Sequence, residues 1–247
     1  MNTDFLQYSK CKERNETLLW YSSDLGASDS EALFDKHQKN ILTKLQLKVL
    51  NWTKTSITYK FNEYGFRSDS FSNAPGAIFL GCSLAFGVGL PYEKTWPYLI
   101  SKKLNLSCWN LSQPAGSLDT CYRLAKYWVP VLKPKYIFIL KPSIYRREYY
   151  YDIKKKFIQI GSWKSEQFAE LVDFINEESS IINHYKNIDA IKFISSTHNV
   201  PLIIQETVGD NVPLTPDYLE NYKLARDLSH PGIDFHANLS NDTLNSM

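Results

Sequence analysis

The run Tyr136-Ile137-Phe138-Ile139-Leu140 is apolar at all five positions, with no polar residue alternating through it. A strand with one face in water alternates; a continuous run fits a strand covered on both faces, as in a parallel sheet packed between helices. Ala77 to Gly81, Ser107 to Leu111 and Leu202 to Gln205 read as three further strands. Between them, apolar residues recur at helical spacing. Tyr92, Trp96, Leu99, Ile100 and Leu104 make one stripe, and Leu118, Tyr122, Ala125, Val129 and Leu132 make a second that Pro134 closes. Glu166 to Asn176 and Ile181 to Ser196 are helical by the same test. Strands alternating with helices predict an α/β fold, one doubly wound and mostly parallel sheet with right-handed crossovers.

The pattern begins only after the turn signal Asn73-Ala74-Pro75-Gly76. The expectation is therefore an N-terminal extension over 1–73 that packs on an α/β domain over 74–247. Within the extension, Ser30 to about Asn40 favours a short helix with Asp29 or Ser30 as its cap. Leu45, Leu47 and Val49 alternate with polar residues, as do Ile57, Tyr59 and Phe61, which predicts a strand for each. Asn62-Glu63-Tyr64-Gly65-Phe66-Arg67 reads as a loop pinned in the core by Tyr64 and Phe66.

Lys+Arg of 28 against Asp+Glu of 26 gives a net charge of +2, too small to argue for a nucleic-acid or membrane partner. Met1 to Arg14 mixes charged residues with scattered apolar ones and does not read as the core of a signal peptide, so a cytoplasmic protein is expected. Cys11, Cys82, Cys108 and Cys121 form no C-x-x-C pair and have no histidine at ligand spacing. They are expected to be buried free thiols, with no metal and no disulfide framework.

Chemistry concentrates at two places. Ala77 to Gly81 stops abruptly at Cys82-Ser83, so Ser83 falls at the carboxyl end of a strand, where α/β sheets bind ligands. Adjacent side chains leaving a strand point opposite ways, so with Ser83 facing the ligand, Cys82 faces inward. A hydroxyl needs an imidazole to take its proton, and the imidazole needs an acceptor on its other nitrogen. Asp227-Leu228-Ser229-His230-Pro231 offers both, Asp227 three residues before His230. His37, His184 and His198 lack such a partner and read as surface residues, and His236 reads as a plain residue of the closing helix.

With these residues in view, the chain resembles the SGNH, or GDSL-type, family of esterases and acyl hydrolases. Gly81-Cys82-Ser83 with Gly87 is similar to the family's first block, Gly-Asp-Ser-x-x-x-Gly, with Cys82 where Asp is usual. Asn110 to Gly116 resembles the second block, whose Gly supplies an oxyanion-hole N–H; Asp227 to Pro231 matches the last, Asp-x-x-His-Pro. Asn62 to Arg67 is similar to a segment often found ahead of the first block. The resemblance covers about Phe61 to Leu239 and implies a flavodoxin-like, three-layer α/β/α fold. The third block, Gly-x-Asn-Asp, would fall at Lys141-Pro142-Ser143-Ile144, where its oxyanion-donating Asn is absent. Ser143, or Arg146 or Arg147, is the candidate replacement.

The resemblance thus implies a serine esterase without metal or cofactor: Ser83 as nucleophile, His230 as base, Asp227 as its orienter, and the N–H groups of Ser83 and Gly116 as oxyanion donors. The expected partner is a small-molecule ester, of a sugar or metabolite, with acyl transfer to another hydroxyl as a variant. Tyr145, Arg146 and Arg147 begin a tyrosine-rich insertion that reads either as a substrate-binding element or as a solvated flap packed on its own rings, with Trp163 over it. The rival reading is a non-catalytic or weakly active binding protein on the same fold.

Overall fold

The computed structural model describes residues 15–21, 29–151, 156–161, 175–206 and 223–247. The chain enters through β1 (Thr17–Leu18), which pairs antiparallel with β2 (Tyr59–Lys60). Between them stand α1 (Glu31–Lys39) and α2 (Ile41–Val49). Ser30 caps α1 by accepting from the Leu33 N–H at 3.2 Å, and Asp29 is left free for another role. The strand expected at Leu45, Leu47 and Val49 is instead α2. Asn40 decides this: its Oδ1 accepts from the N–H groups of Leu42 and Thr43 at 3.0 and 3.2 Å, satisfying donors that a first helical turn leaves open. The alternation there had no burial behind it, since Leu45 and Val49 are exposed and only Leu47 is covered. By contrast Ile57, Tyr59 and Phe61 are all buried, although the ladder itself covers only Tyr59 and Lys60.

The core follows the expected alternation of strands and helices. In order come β3 (Gly76–Leu80), a four-residue α3 (Ser83–Phe86), α4 (Trp96–Leu104), β4 (Ser107–Asn110), α5 (Leu118–Leu132) and β5 (Tyr136–Leu140). An antiparallel hairpin of β6 (Arg147–Tyr151) and β7 (Lys156–Ile160) precedes α6 (Glu177–Thr197), β8 (Leu202–Gln205) and α7 (Ile233–Asn245). Four strands pair in the order β4-β3-β5-β8, all parallel. The helix expected over Glu166 to Asn176, and Trp163, lie outside the described residues but for the last two positions, which precede α6.

Side-chain alternation along the two central strands builds the two faces. Ile78, Leu80, Ile137 and Ile139 pack with Leu124, Trp128 and Val129 of α5 and with Ile188 and Ile191 of α6. Ala77, Phe79, Phe138 and Leu140 point the other way, onto Trp96 and Ile100 of α4, with Leu239 and Leu244 of α7 beside them. Phe79 and Phe138 stack across the β3–β5 pair at 4.9 Å. Each fully buried side chain of this kind contributes about 1.5–3 kcal/mol, which is why both residue sets along one strand had to be apolar. The protein is thus a three-layer α/β/α assembly, as the sequence predicts. The connections from β3 and β5 diverge, one to β4 and the other to β8. The crevice at their carboxyl ends is a topological switch point.

The tyrosine-rich insertion is no solvated flap. Glu148 is buried against α5: Arg123 Nε donates to its Oε1 at 2.6 Å and Arg123 Nη2 to its Oε2 at 3.0 Å, while Thr120 and Gln159 donate to Oε2 at 2.8 Å each. Removing one partner of such a buried pair leaves an uncompensated charge. The hairpin is therefore fixed to the domain by its polar residues, while Tyr149 and Tyr150 face solvent.

Candidate active site

The first element of the site is the abrupt end of β3. Gly81 and Cys82 follow the strand, and Ser83 is the first residue of α3, with Cys82 at the cap position. Cys82 is 3% exposed, whereas Ser83 is half-buried at the carboxyl edge, so the two side chains diverge as strand geometry requires. Among the described residues no side chain caps α3, whose first-turn N–H groups include that of Ser83.

The second element is a loop folded back on itself between residues 224 and 231. The Ala225 N–H donates to the His230 carbonyl at 2.9 Å, the Leu228 N–H donates to the Ala225 carbonyl at 2.9 Å, and Leu224 bridges to Pro231. That fold puts His230 Nδ1 2.5 Å from Asp227 Oδ2. Ser229 Oγ also donates to Oδ2 at 2.5 Å, and the N–H groups of Ser229 and His230 donate to Oδ1 at 3.3 and 3.2 Å. The carboxylate is a full acceptor, so Nδ1 carries the proton and Nε2 is the basic nitrogen. Asp227's side chain is fully covered and that of His230 is 20% exposed.

Electrostatics follow from this arrangement. Burial pushes the Asp227 carboxyl up, but the charge and ring N–H of His230, with the Ser229 hydroxyl, outweigh it and hold Asp227 below the usual carboxylate range. Burial lowers His230, while the charge of Asp227 and its hydrogen bond raise it to a net value above 6.5; Arg146 opposes that rise and Asp29 adds to it.

The two elements meet through Gly89. The Arg226 N–H donates to the Gly89 carbonyl at 2.9 Å, joining the residue beside Asp227 to the turn after α3. Gly89 has φ +72, and a Cβ there would lie 2.9 Å from Ala225 Cβ and 3.0 Å from Asp227 Oδ1. Only glycine permits both the left-handed backbone and that approach. Among the described residues no hydrogen bond links Ser83 Oγ to His230.

The remaining candidates divide. Gly116 packs against the end of β3, where a Cβ would come 3.0 Å from the Gly81 carbonyl oxygen, but its N–H donates to the Gln113 carbonyl at 2.8 Å. That tight turn, with Ala115 at φ +59, engages the N–H expected to serve the oxyanion hole. Ser143 lies just past the carboxyl end of β5, with its Oγ accepting from the Tyr145 N–H at 3.2 Å. Arg147, expected to bind substrate, is engaged within the protein. It is buried, its Nη1 donating to the carbonyls of Ile144 and Arg146 at 2.7 and 2.9 Å and its Nη2 to Ser180 Oγ at 3.2 Å, which ties the hairpin to α6. Arg146 stands near enough for its charge to act on His230, and Tyr145 is exposed.

Several residues of the site escaped the sequence reading. Arg67, taken as part of a turn, is 1% exposed and donates to three carbonyls of the segment that follows Ser83: Phe86 at 3.3 Å, Gly87 at 2.6 Å and Leu90 at 2.6 Å. Gln113 is 1% exposed, and among the described residues neither polar atom of its side-chain amide has a hydrogen-bond partner. His37, expected at the surface, lies with Nε2 3.3 Å from the Asp227 carbonyl oxygen. His236 is buried in α7 with Nδ1 accepting from the Trp96 N–H at 3.0 Å, and burial lowers it to about 3, so it stays neutral and caps α4. The one available signal was Arg67 itself, a cation set between Phe66 and Ser68 in a segment otherwise committed to the core.

No protein-family model matches this chain, and no curated protein matches it. Among solved structures it is similar to a lipolytic protein of the G-D-S-L family from Desulfitobacterium hafniense DCB-2, at 14% identity and a TM-score of 0.36, over 70% of this chain and 99% of that one. It is also similar to the psychrotrophic esterase EstA from Pseudoalteromonas sp., solved inhibited by monoethylphosphonate, at 12% identity and a TM-score of 0.35, over 69% and 95%. A third is the lipase/acylhydrolase from Enterococcus faecalis, at 10% identity and a TM-score of 0.32, over 69% and 94%.

Proposed function

We propose that the protein is a serine ester hydrolase of SGNH type. The observation that carries this reading is the Asp227–His230 pair at 2.5 Å, with Nε2 left as the basic nitrogen, on a loop hydrogen-bonded to the turn after Ser83. Ser83 Oγ attacks an acyl carbonyl as its proton passes to His230 Nε2. The tetrahedral oxyanion collapses, the alcohol departs with that proton, and water repeats the sequence to free the acid and Ser83. Asp227 stays ionised throughout and holds the imidazolium.

With the Gly116 N–H engaged and the third-block Asn missing, the Ser83 N–H needs a second donor. Gln113 is our assignment: its backbone N–H bonds the Gly81 carbonyl at 3.1 Å, beside Ser83, and a buried amide without partners among the described residues is costly unless a ligand completes it. Gln113→Ala is expected to lower kcat for p-nitrophenyl acetate about 100- to 1000-fold at similar KM, the usual effect of losing one oxyanion donor. An unchanged kcat removes Gln113 from that role.

The substrate class we assign is a small acyl ester of a sugar or metabolite. The reading is tested by labelling with a fluorophosphonate and mapping the adduct. Attachment to Ser83 that disappears in His230→Ala supports it, and absence of any adduct on folded protein sinks it. The engaged Gly116 N–H favours one rival, a binding protein in which this edge of the sheet holds an ester without cleaving it. Tight ester binding with no turnover is the result that reading requires.

A further inference from the structure

Two loops meet at the candidate site, and neither is anchored to the other by the central sheet alone. Beside the direct bond from the Arg226 N–H to the Gly89 carbonyl at 2.9 Å, buried polar structure contributed from ahead of β3 joins them by a second route. Arg226, immediately before Asp227, is 0% exposed; its Nε lies 2.8 Å from Asp29 Oδ1 and its Nη2 2.5 Å from Asp29 Oδ2, a two-pronged pair. Its other N–H groups donate to the carbonyls of Lys54 at 2.9 Å and Leu19 at 2.7 Å, and its guanidinium lies 4.0 Å from the Trp20 ring centre. The same Asp29 carboxylate accepts from the Tyr59 hydroxyl at 2.7 Å, and that hydroxyl accepts from the Gly89 N–H at 2.8 Å. Arg67, which grips the carbonyls of Phe86, Gly87 and Leu90, lies 4.3 Å over the Tyr59 ring.

A buried ion pair adds little net stability over an apolar pair of the same shape, because two charges must be stripped of water. It does, however, define geometry sharply, since a planar guanidinium satisfies a carboxylate in one orientation. Here the carboxylate, the phenol and the guanidinium form a single connected path, from the backbone beside Asp227 to the backbone of the turn after Ser83. Both ends of the path lie within three residues of a group in the proposed reaction or of its helix.

We propose that Asp29 and Tyr59 are positioning residues: they fix the distance between the nucleophile turn and the acid–base loop, so the segment ahead of the sheet is part of the catalytic apparatus. This rests on the esterase reading for its consequence in rate, but the mechanical coupling of the two loops stands apart from it.

Tyr59→Phe is the decisive variant, because it removes only the bridging hydroxyl and keeps the ring beneath Arg67. We expect the variant to fold, the fluorophosphonate labelling rate at Ser83 to fall about 10- to 100-fold, and kcat for p-nitrophenyl acetate to fall with it at nearly constant KM, as for a misplacement of order 1 Å. Amide hydrogen exchange is expected to quicken both at residues 87–90 and at 224–230. Arg226→Lys, which keeps the charge and loses the fork, should produce the same joint loosening. Wild-type labelling rates in folded Tyr59→Phe, or faster exchange confined to the Gly89 turn in both variants, would overturn the proposal. Should wild type itself give no Ser83 adduct, the esterase reading falls and the exchange data decide alone: joint loosening upholds the coupling, and loosening at one loop only refutes it.

Discussion

Ser83→Ala is expected to reduce hydrolysis of p-nitrophenyl acetate by about 10⁴- to 10⁶-fold, with folding and melting temperature essentially unchanged. The size of the effect follows from the unit the residues form: without a nucleophile, the acid–base pair has nothing to activate, and what survives is the modest acceleration due to bound substrate and oxyanion donors. The stability side follows from place. Ser83 is half-buried at the sheet edge and is not the cap of α3, so losing its hydroxyl exposes no buried partner. Steady-state rates of purified wild type and variant decide the matter, and equal rates would mean that the activity arises elsewhere or that the edge only binds.

Asp227→Asn is expected to lower kcat by about 10⁴-fold, because an amide facing His230 no longer fixes the proton on Nδ1. It also predicts a change in pH dependence. In wild type the base must be neutral, so the rate rises with pH through a His230 value held above 6.5 by Asp227. Without the carboxylate, burial and the charge of Arg146 remain to lower that value, so the rising limb shifts toward lower pH. Stability follows the same linkage. His230 is raised on folding, so its contribution is complete below about 6.5 and fades as pH climbs through the folded value; Asp227 is lowered, so its contribution is complete above about 3.8 and fades as pH falls through its folded value. The melting temperature of wild type should therefore exceed that of Asp227→Asn by most between those two values. A difference that does not vary with pH would contradict the coupled pair.

Much of this was legible in the chain because the relevant physics is local. A run such as Tyr136 to Leu140 has no alternative to burial on both faces, and the interleaved helical stripes leave a doubly wound sheet as their solution. The site edge was legible for the same reason: Ser83 and His230 are read from where the strand stops and from a three-residue spacing that lets one loop close on itself. Local reading failed where burial decided the outcome. Leu45, Leu47 and Val49 alternate like a strand, yet two of the three face water, and Asn40 had the casting vote through its side-chain oxygen.

The order of secondary elements, the strand that leads into Ser83 and the pairing of Asp227 with His230 were set by residues close together along the chain, since periodicity and short-range hydrogen bonding act over a few positions. The fate of the charged residues was not. That Arg226 would meet Asp29, 197 positions away, that Arg67 would close over the turn after Ser83, and that the Gly116 N–H would be drawn into a turn became fixed only when distant segments packed. A buried charge or a spare N–H takes whichever partner the fold brings within about 3 Å, and nothing in its own neighbourhood says which one that will be.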